Sequence, residues 1–266
     1  MIKLIACDMD GTLLNENGEI DKEFFHIYKR LQDLDIRFAV ASGRQYHRLM
    51  HNFQHIAQDL IYIAENGTIV KYKDEEIYSS TLEKQDVMKI VEQSKDIRGI
   101  NLILCGKNCA YLNTSEEEIV DEAKKYYHNL EIVKAFNEVH DEIIKIAVLD
   151  LQGSQDNSYK IFYPLWKDKL QVKVSGQIWL DLFSKDADKG IAMRIIQKKF
   201  NIDKKETMVF GDYFNDIEMF QEAYYSYAME NAPEEVKKHA RFVAKSNKEN
   251  GVVEKIKEVI LNQYLK

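Results

Sequence analysis

The sequence has little of what breaks or staples a chain. Two prolines and eleven glycines in 266 residues leave no linker, repeat or low-complexity stretch, so any domain boundary has to be read from hydrophobic pattern. Three cysteines, Cys7, Cys105 and Cys109, are too few for a disulfide framework. Cys105 and Cys109 lack a second ligand pair and read as packing residues. No apolar run approaches the ~18 residues of a membrane span. Asp8 and Asp10 arrive too early for the apolar core of a signal peptide, so the cytoplasm is the expected compartment. There is no basic excess either. Thirty-seven Lys and Arg against 44 Asp and Glu give a net charge of −7. That argues against broad electrostatic binding of nucleic acid, though not against a small basic pocket. What remains is a globular composition, 45% hydrophobic and 30% charged, and a length that suits one large domain or two modest ones.

The hydrophobic pattern predicts strand 2–7, helix 22–34, strand 36–41, helix 45–58 and strand 60–64. Glu65-Asn66-Gly67 is a turn signal, with a hairpin expected over 68–79. Alternating strands and helices predict right-handed parallel crossovers in a sheet covered on both faces. From about 83 the pattern changes to paired strands with interposed helices, which suits an α+β unit with an antiparallel sheet. From 186 the first pattern returns: helix 189–200, strand 207–210, helix 215–222, strand 225–228, helix 233–239, strand 241–243 and helix 252–264. The last helix places Val252, Val253, Ile256, Val259, Ile260 and Tyr264 on one stripe. The expected organisation is an α/β core from residues 1–82 and 186–266, with an α+β unit, 83–185, inserted in it.

The chemistry gathers at strand ends. Strand 2–7 runs into Asp8-Met9-Asp10-Gly11-Thr12. Residues i and i+2 of extended chain point the same way, and ligands of open α/β sheets bind beyond the carboxyl ends of the strands. Met208-Val209-Phe210 likewise ends in Gly211-Asp212-Tyr213-Phe214-Asn215-Asp216. If the two strands are neighbours, Asp8, Asp10, Asp212 and Asp216 converge, and so many carboxylates demand protonation or a cation. Oxygen-only donors suit Mg²⁺. Each pair taken alone reads as a turn or a helix cap; their joint placement at strand ends is what points to a site. Ser42-Gly43-Arg44 ends the second strand and is expected to open a helix, where a hydroxyl and free N–H groups bind anions. Lys189 follows Asp188, the expected N-cap, and opposes the helix dipole. That misplacement hints at a second duty, such as neutralising a phosphate.

In this order, these motifs closely resemble those of the haloacid dehalogenase superfamily of phosphohydrolases, in its Cof-type branch (type IIB, with a C2 cap). Asp8–Leu14 resembles its first motif, Ser42-Gly43-Arg44 the second, Lys189-Gly190 the third and Gly211–Asp216 the fourth. Glu65-Asn66-Gly67 and Asn231-Ala232-Pro233-Glu234-Glu235-Val236-Lys237 are similar to segments common there. The resemblance implies a Rossmann-like parallel-sheet core with an inserted α+β cap. It implies Asp8 as nucleophile, forming an aspartyl-phosphate, and Asp10 as general acid and base. Mg²⁺ would be held by Asp8, the Asp10 carbonyl and Asp212, with Asp216 in support. Ser42, the amides of Met9 and Gly43, Asn215 and Lys189 would bind phosphoryl oxygens, with Arg44 and Asn66 near the substrate or cap. Tyr213 and Phe214 depart from the pattern, being bulky where this branch often has small or polar residues. They are expected to pack under the site or narrow its mouth.

The implied activity is Mg²⁺-dependent hydrolysis of small phosphomonoesters, sugar phosphates or related metabolites. A phosphomutase or phosphotransferase, or a non-catalytic sugar-phosphate sensor, remains the alternative. The expected partner is a small phosphorylated metabolite, with no nucleic acid or membrane, in a monomer or weak homo-oligomer. His47, His51 and His55 stand four apart on one helix face. A polar helix face accounts for them better than a second metal site, which expects a further ligand such as Glu.

Overall fold

The strand that carries the first motif, β1 (Leu4–Asp8), is buried along its whole length. Burial on both faces of a parallel sheet is what makes its sequence continuously apolar rather than alternating. A computed structural model describes residues 1–53 and 55–260. After β1 come α1 (Lys22–Asp33), β2 (Arg37–Ala41), α2 (Tyr46–Asn52), β3 (Ile61–Ala64), β4 (Ile69–Tyr72) and β5 (Glu75–Ser79). The next stretch contains α3 (Lys84–Ser94), β6 (Ile100–Gly106), β7 (Ala110–Leu112), α4 (Glu117–Lys124), β8 (Leu130–Ile132), β9 (Ile143–Asp150), α5 (Ser158–Trp166), β10 (Leu170–Gly176) and β11 (Trp179–Ser184). The chain ends with α6 (Lys189–Phe200), β12 (Thr207–Gly211), α7 (Ile217–Phe220), β13 (Tyr225–Met229), α8 (Glu234–Lys237), β14 (Phe242–Ala244) and α9 (Gly251–Val259).

Two units result. The first comprises Met1–Gly43, His55–Tyr78 and Asp188–Lys266; the second comprises Arg44–Gln54 and Ser79–Ala187. The chain therefore changes unit at 78/79 and 187/188, where the pattern suggested 82/83 and 185/186. The segment after Gly43 also groups with the inserted unit. The Gln45 side chain explains this: its Nε2 donates to the Asn129 carbonyl at 3.1 Å, and its Oε1 accepts from the Asn129 amide at 3.1 Å.

The first unit is built on one sheet of order β14-β13-β12-β1-β2-β3-β4-β5. The strands from β14 to β3 run parallel, and β4 returns antiparallel on β3. Leu4 and Ala6 of β1, Ala39 and Ala41 of β2 and Ile61 and Ile63 of β3 share one face, packed with Ala192, Met193 and Ile196 of α6 and with Phe220. Asp21 caps α1 by accepting the Glu23 amide at 2.7 Å. The second unit holds a sheet of order β10-β11-β9-β6-β7-β8. Leu102, Leu104, Ile146, Val148, Leu180 and Leu182 alternate onto a face shared with Val87 and Ile90 of α3 and Phe162 and Trp166 of α5. This sheet is not wholly antiparallel: β7 and β8 run parallel, because α4 joins them as a crossover.

Two predicted helices are shorter than their patterns. Helix 45–58 reduces to α2, followed by a separate 3₁₀ turn at Ala57–Asp59. Helix 215–222 divides into a 3₁₀ turn, Phe214–Asp216, and α7. Residue 54 and Tyr264, inside two of the predicted helices, lie outside the described residues.

The turn Glu65–Gly67 between β3 and β4 is tight, with Glu65, Asn66 and Gly67 at φ 50°, 58° and 91°. A Cβ on Gly67 would lie 2.3 Å from the Asp188 carbonyl oxygen and 2.9 Å from the Lys189 amide nitrogen. Gly67→Ala is therefore expected to lower stability by about 2–3 kcal/mol through strain and overpacking. Denaturant unfolding checks this, and a loss below about 0.5 kcal/mol, within the range of ordinary surface substitutions, would contradict it.

Candidate active site

Because β1 lies between β12 and β2, with Cys7 opposite Phe210 and Asp8 opposite Ala41, the three strands deliver their carboxyl ends to one edge of the sheet. Asp8, Asp212 and Asp216 meet there, with one carboxylate oxygen from each within 4.8 Å of the others. Asp8 and Asp216 are buried, and Asp10, two residues beyond β1, is exposed.

Lys189 is the counter-charge. Its side chain is fully buried, and Nζ lies 2.6 Å from Asp8 Oδ1 and 2.6 Å from Asp216 Oδ1. Asp188 is the N-cap of α6, accepting the Ile191 amide at 2.6 Å. Lys189 thus opens the helix, at the end that disfavours a cation, because two buried carboxylates require it there. Burial alone would lower its pKa, but Asp216 and Asp8 together outweigh that and hold the ammonium above its ordinary value.

Asp216 works through both oxygens: Oδ2 accepts from the amides of Asp212 at 2.9 Å and Tyr213 at 3.0 Å. These bonds hold the backbone after β12 in a tight turn, and the predicted helix begins there as the 3₁₀ turn Phe214–Asp216. Asp212 is oriented by Thr12, whose Oγ1 donates to its Oδ1 at 3.0 Å. Burial, and then the Asp216 charge, push the Asp212 carboxyl up to about 6. Burial likewise raises Asp8 well above the usual carboxylate range, against the pull of Lys189, and the thiol of Cys7 rises for the same reason. Three acidic side chains around one ammonium leave an excess of negative charge in a poorly solvated place. Their oxygen-only donor set fits a hard divalent cation.

Ser42 is buried at the end of β2, its amide donating to the Ile63 carbonyl at 2.8 Å and its carbonyl accepting from the Asn66 amide at 3.0 Å. It does not open a helix: α2 begins at Tyr46 with Gln45 before it, since Gln45 is engaged with Asn129. Asn66 Oδ1 accepts from Asn215 Nδ2 at 3.1 Å, and a Cβ on Gly43 would stand 3.0 Å from Asn66 Oδ1. Ser42, Gly43, Asn66 and Asn215 are thereby brought together in the first unit. Met9 is buried directly after Asp8, and Arg44 falls in the second unit.

Tyr213 and Phe214 do not pack beneath the site. They are 57% and 48% exposed and stand edge to face, with ring centroids 5.2 Å apart. His47 Nε2 lies 3.1 Å from the Asn108 carbonyl oxygen, and His51 stacks on His128 at 5.1 Å. Among the described residues the acidic trio is the one metal-capable cluster, and no histidine or cysteine joins it. Thr12 carried no assigned role in the sequence. Its signal was its place in Asp-x-Asp-Gly-Thr, but its partner Asp212 is 200 residues away.

Comparison with known proteins finds relatives along nearly the whole chain. The family model for haloacid dehalogenase-like hydrolases matches residues 5–256. A 5-amino-6-(5-phospho-D-ribitylamino)uracil phosphatase of Escherichia coli is 34% identical over 264 residues, covering 98% of this chain and 97% of that protein. A Bacillus subtilis phosphatase of the same description is 27% identical, covering 99% and 100%. A Streptococcus mutans crystal structure superposes with a TM-score of 0.85 at 32% identity, covering 100% of this chain and 99% of that one. A Thermotoga maritima crystal structure superposes with a TM-score of 0.89 at 28% identity, covering 97% and 98%. A parallel sheet that gathers Asp8, Asp212, Asp216 and Lys189 at one edge, in a chain matched over nearly its whole length, belongs to the haloacid dehalogenase-like hydrolase family.

Proposed function

We propose that the protein is a Mg²⁺-dependent phosphatase that hydrolyses small phosphomonoesters through an aspartyl-phosphate on Asp8. The observation that carries this reading is Lys189 bridging Asp8 and Asp216 at 2.6 Å beside Asp212. Asp8, Asp212 and the Asp10 carbonyl would hold the ion, with Asp216 in support. When bound, Mg²⁺ offsets charge on the phosphoryl oxygens.

In the first half, an Asp8 carboxylate oxygen attacks phosphorus while the bond to the leaving oxygen breaks, and the Asp10 carboxyl gives that oxygen its proton. In the second half, Asp10 takes a proton from water as the water oxygen attacks phosphorus. The bond to Asp8 breaks, and inorganic phosphate leaves. Lys189 uses two of its three N–H donors on carboxylates, leaving the third for a phosphoryl oxygen. Ser42, the Met9 and Gly43 amides and Asn215 take the other phosphoryl contacts, with Asn66 beside them. The inserted unit has the cap's part, and Arg44, carried by that unit, serves substrate binding. Sugar phosphates and related metabolites are the substrate class. The phosphorylated ribitylamino compound named for the Escherichia coli and Bacillus subtilis relatives falls within it.

Hydrolysis of p-nitrophenyl phosphate with Mg²⁺ and with EDTA tests the reading. Nitrophenol and inorganic phosphate are expected in equal amounts, with turnover abolished by EDTA and restored by added Mg²⁺. Turnover indifferent to EDTA would overturn the metal requirement. Nitrophenol without phosphate would point to transfer onto another acceptor.

A further inference from the structure

Asp10 stands in a backbone segment that is held in part by residues far along the chain. Residues 9–14 leave β1 in a turn closed by the Leu14 amide on the Met9 carbonyl at 2.9 Å. Inside the turn, Asp10 is extended and Gly11 takes φ 78°. A Cβ on Gly11 would lie 2.2 Å from Asp212 Oδ2, so the position admits only glycine, the residue whose backbone pivots most freely. Two carbonyls of this turn are taken by side chains from the far end of the chain. Asn231 Nδ2 donates to the Gly11 carbonyl at 2.8 Å, and Asn247 Nδ2 donates to the Leu14 carbonyl at 2.8 Å. The two asparagines are also tied to each other, the Asn247 amide donating to Asn231 Oδ1 at 3.2 Å. Both ends of the Asn231 amide are therefore committed, and its orientation is determined.

Asn231 reaches this position because it follows β13, whose carboxyl end lies along the same sheet edge as those of β12 and β1. Its bond to Gly11 is at the exposed surface, where a neutral hydrogen bond adds little to stability. Its consequence is directional. With the Gly11 carbonyl held on one side and the Asp8–Met9 backbone anchored in β1 on the other, rotation of the peptide units flanking Asp10 is restricted.

We propose that Asn231, braced by Asn247, is a positioning residue for Asp10, holding the turn so that the Asp10 carboxyl meets the leaving oxygen. This rests on the phosphatase reading above, in which Asp10 protonates that oxygen. A displaced general acid costs most when the leaving group is basic, and little when it departs readily as an anion.

The test compares p-nitrophenyl phosphate with phenyl phosphate, which differ in leaving-group basicity but hardly in size. The quantity is kcat/KM, which reports the steps through phosphorylation of Asp8. Asn231→Ala removes both bonds, whereas Asn231→Asp keeps the acceptor for Asn247 and turns the donor to Gly11 into a charged oxygen that repels its carbonyl. Both variants are expected to stay within about threefold of wild type on p-nitrophenyl phosphate and to fall about 10–100-fold on phenyl phosphate. Their unfolding midpoints are expected to match wild type. An equal loss on both esters, or no loss on either, would overturn the positioning role while leaving the phosphatase reading intact. Failure of the wild type on both esters would instead overturn the phosphatase reading.

Discussion

Asp8→Asn is expected to lose turnover of p-nitrophenyl phosphate by at least about 10⁴-fold. Without metal, it is nevertheless expected to unfold at the same denaturant concentration as wild type or a higher one. The loss follows from the role of nucleophile, since a carboxamide does not attack phosphorus and the covalent route closes. The stability follows from the charges around Asp8. Burial raises its carboxyl well above the ordinary range, and the Asp216 and Asp212 charges add to that, against Lys189. A carboxyl whose folded-state value lies above its unfolded one costs the folded state once pH passes the unfolded value, near 4. At pH 7 the carboxyl carries such a cost, and the neutral amide removes it. Lys189 keeps Asp216 at 2.6 Å. Denaturant unfolding in EDTA at pH 7 measures the effect. A midpoint clearly below wild type would show that the Asp8–Lys189 pair is net stabilising and reverse this argument.

Lys189→Met is expected to lose turnover as well, but with the opposite effect on stability: a fall of about 3–5 kcal/mol, the usual cost of removing one partner from a buried ion pair. Methionine fills similar space, so the loss is electrostatic rather than a cavity. Asp8 and Asp216 would each lose a bond of 2.6 Å in a place without solvent, and Asp212 would face both without a cation between. Asp216 Oδ2 would still hold the Asp212 and Tyr213 amides, so the turn after β12 is expected to persist. Unfolding in EDTA checks this, and a change below about 1 kcal/mol, typical of an exposed ion pair, would contradict it. Two variants that both abolish turnover should therefore move stability in opposite directions, which a merely damaged fold would not do.

The sequence alone determined the family resemblance, the alternating α/β pattern with a different unit inserted, and the residues of the acidic site. Those properties are local. Short apolar runs at 2–7 and 208–210 end in acids at Asp8 and Asp212, and Asp188 precedes a helical stripe. Each can be read within a short window of chain. The placement of Lys189 left only an oddity in the sequence, a cation at the wrong end of a helix.

Only the tertiary structure decided what depends on partners far apart in the chain. It seated Lys189 between Asp8 and Asp216, across separations of 181 and 27 residues. It gave Thr12 to Asp212, and Asn231 and Asn247 to the turn that carries Asp10. It grouped Arg44–Gln54 with the inserted unit, where Gln45 makes paired bonds to Asn129. It left Tyr213 and Phe214 exposed, because Asp216 turns the backbone tightly at their position. The physical reason is common to all of these. Hydrophobic period and capping are properties of neighbouring residues, whereas a buried charge or a free carbonyl is satisfied by whichever donor the sheet order brings to it. Here that order places β1 between β12 and β2, and a one-dimensional pattern does not contain it.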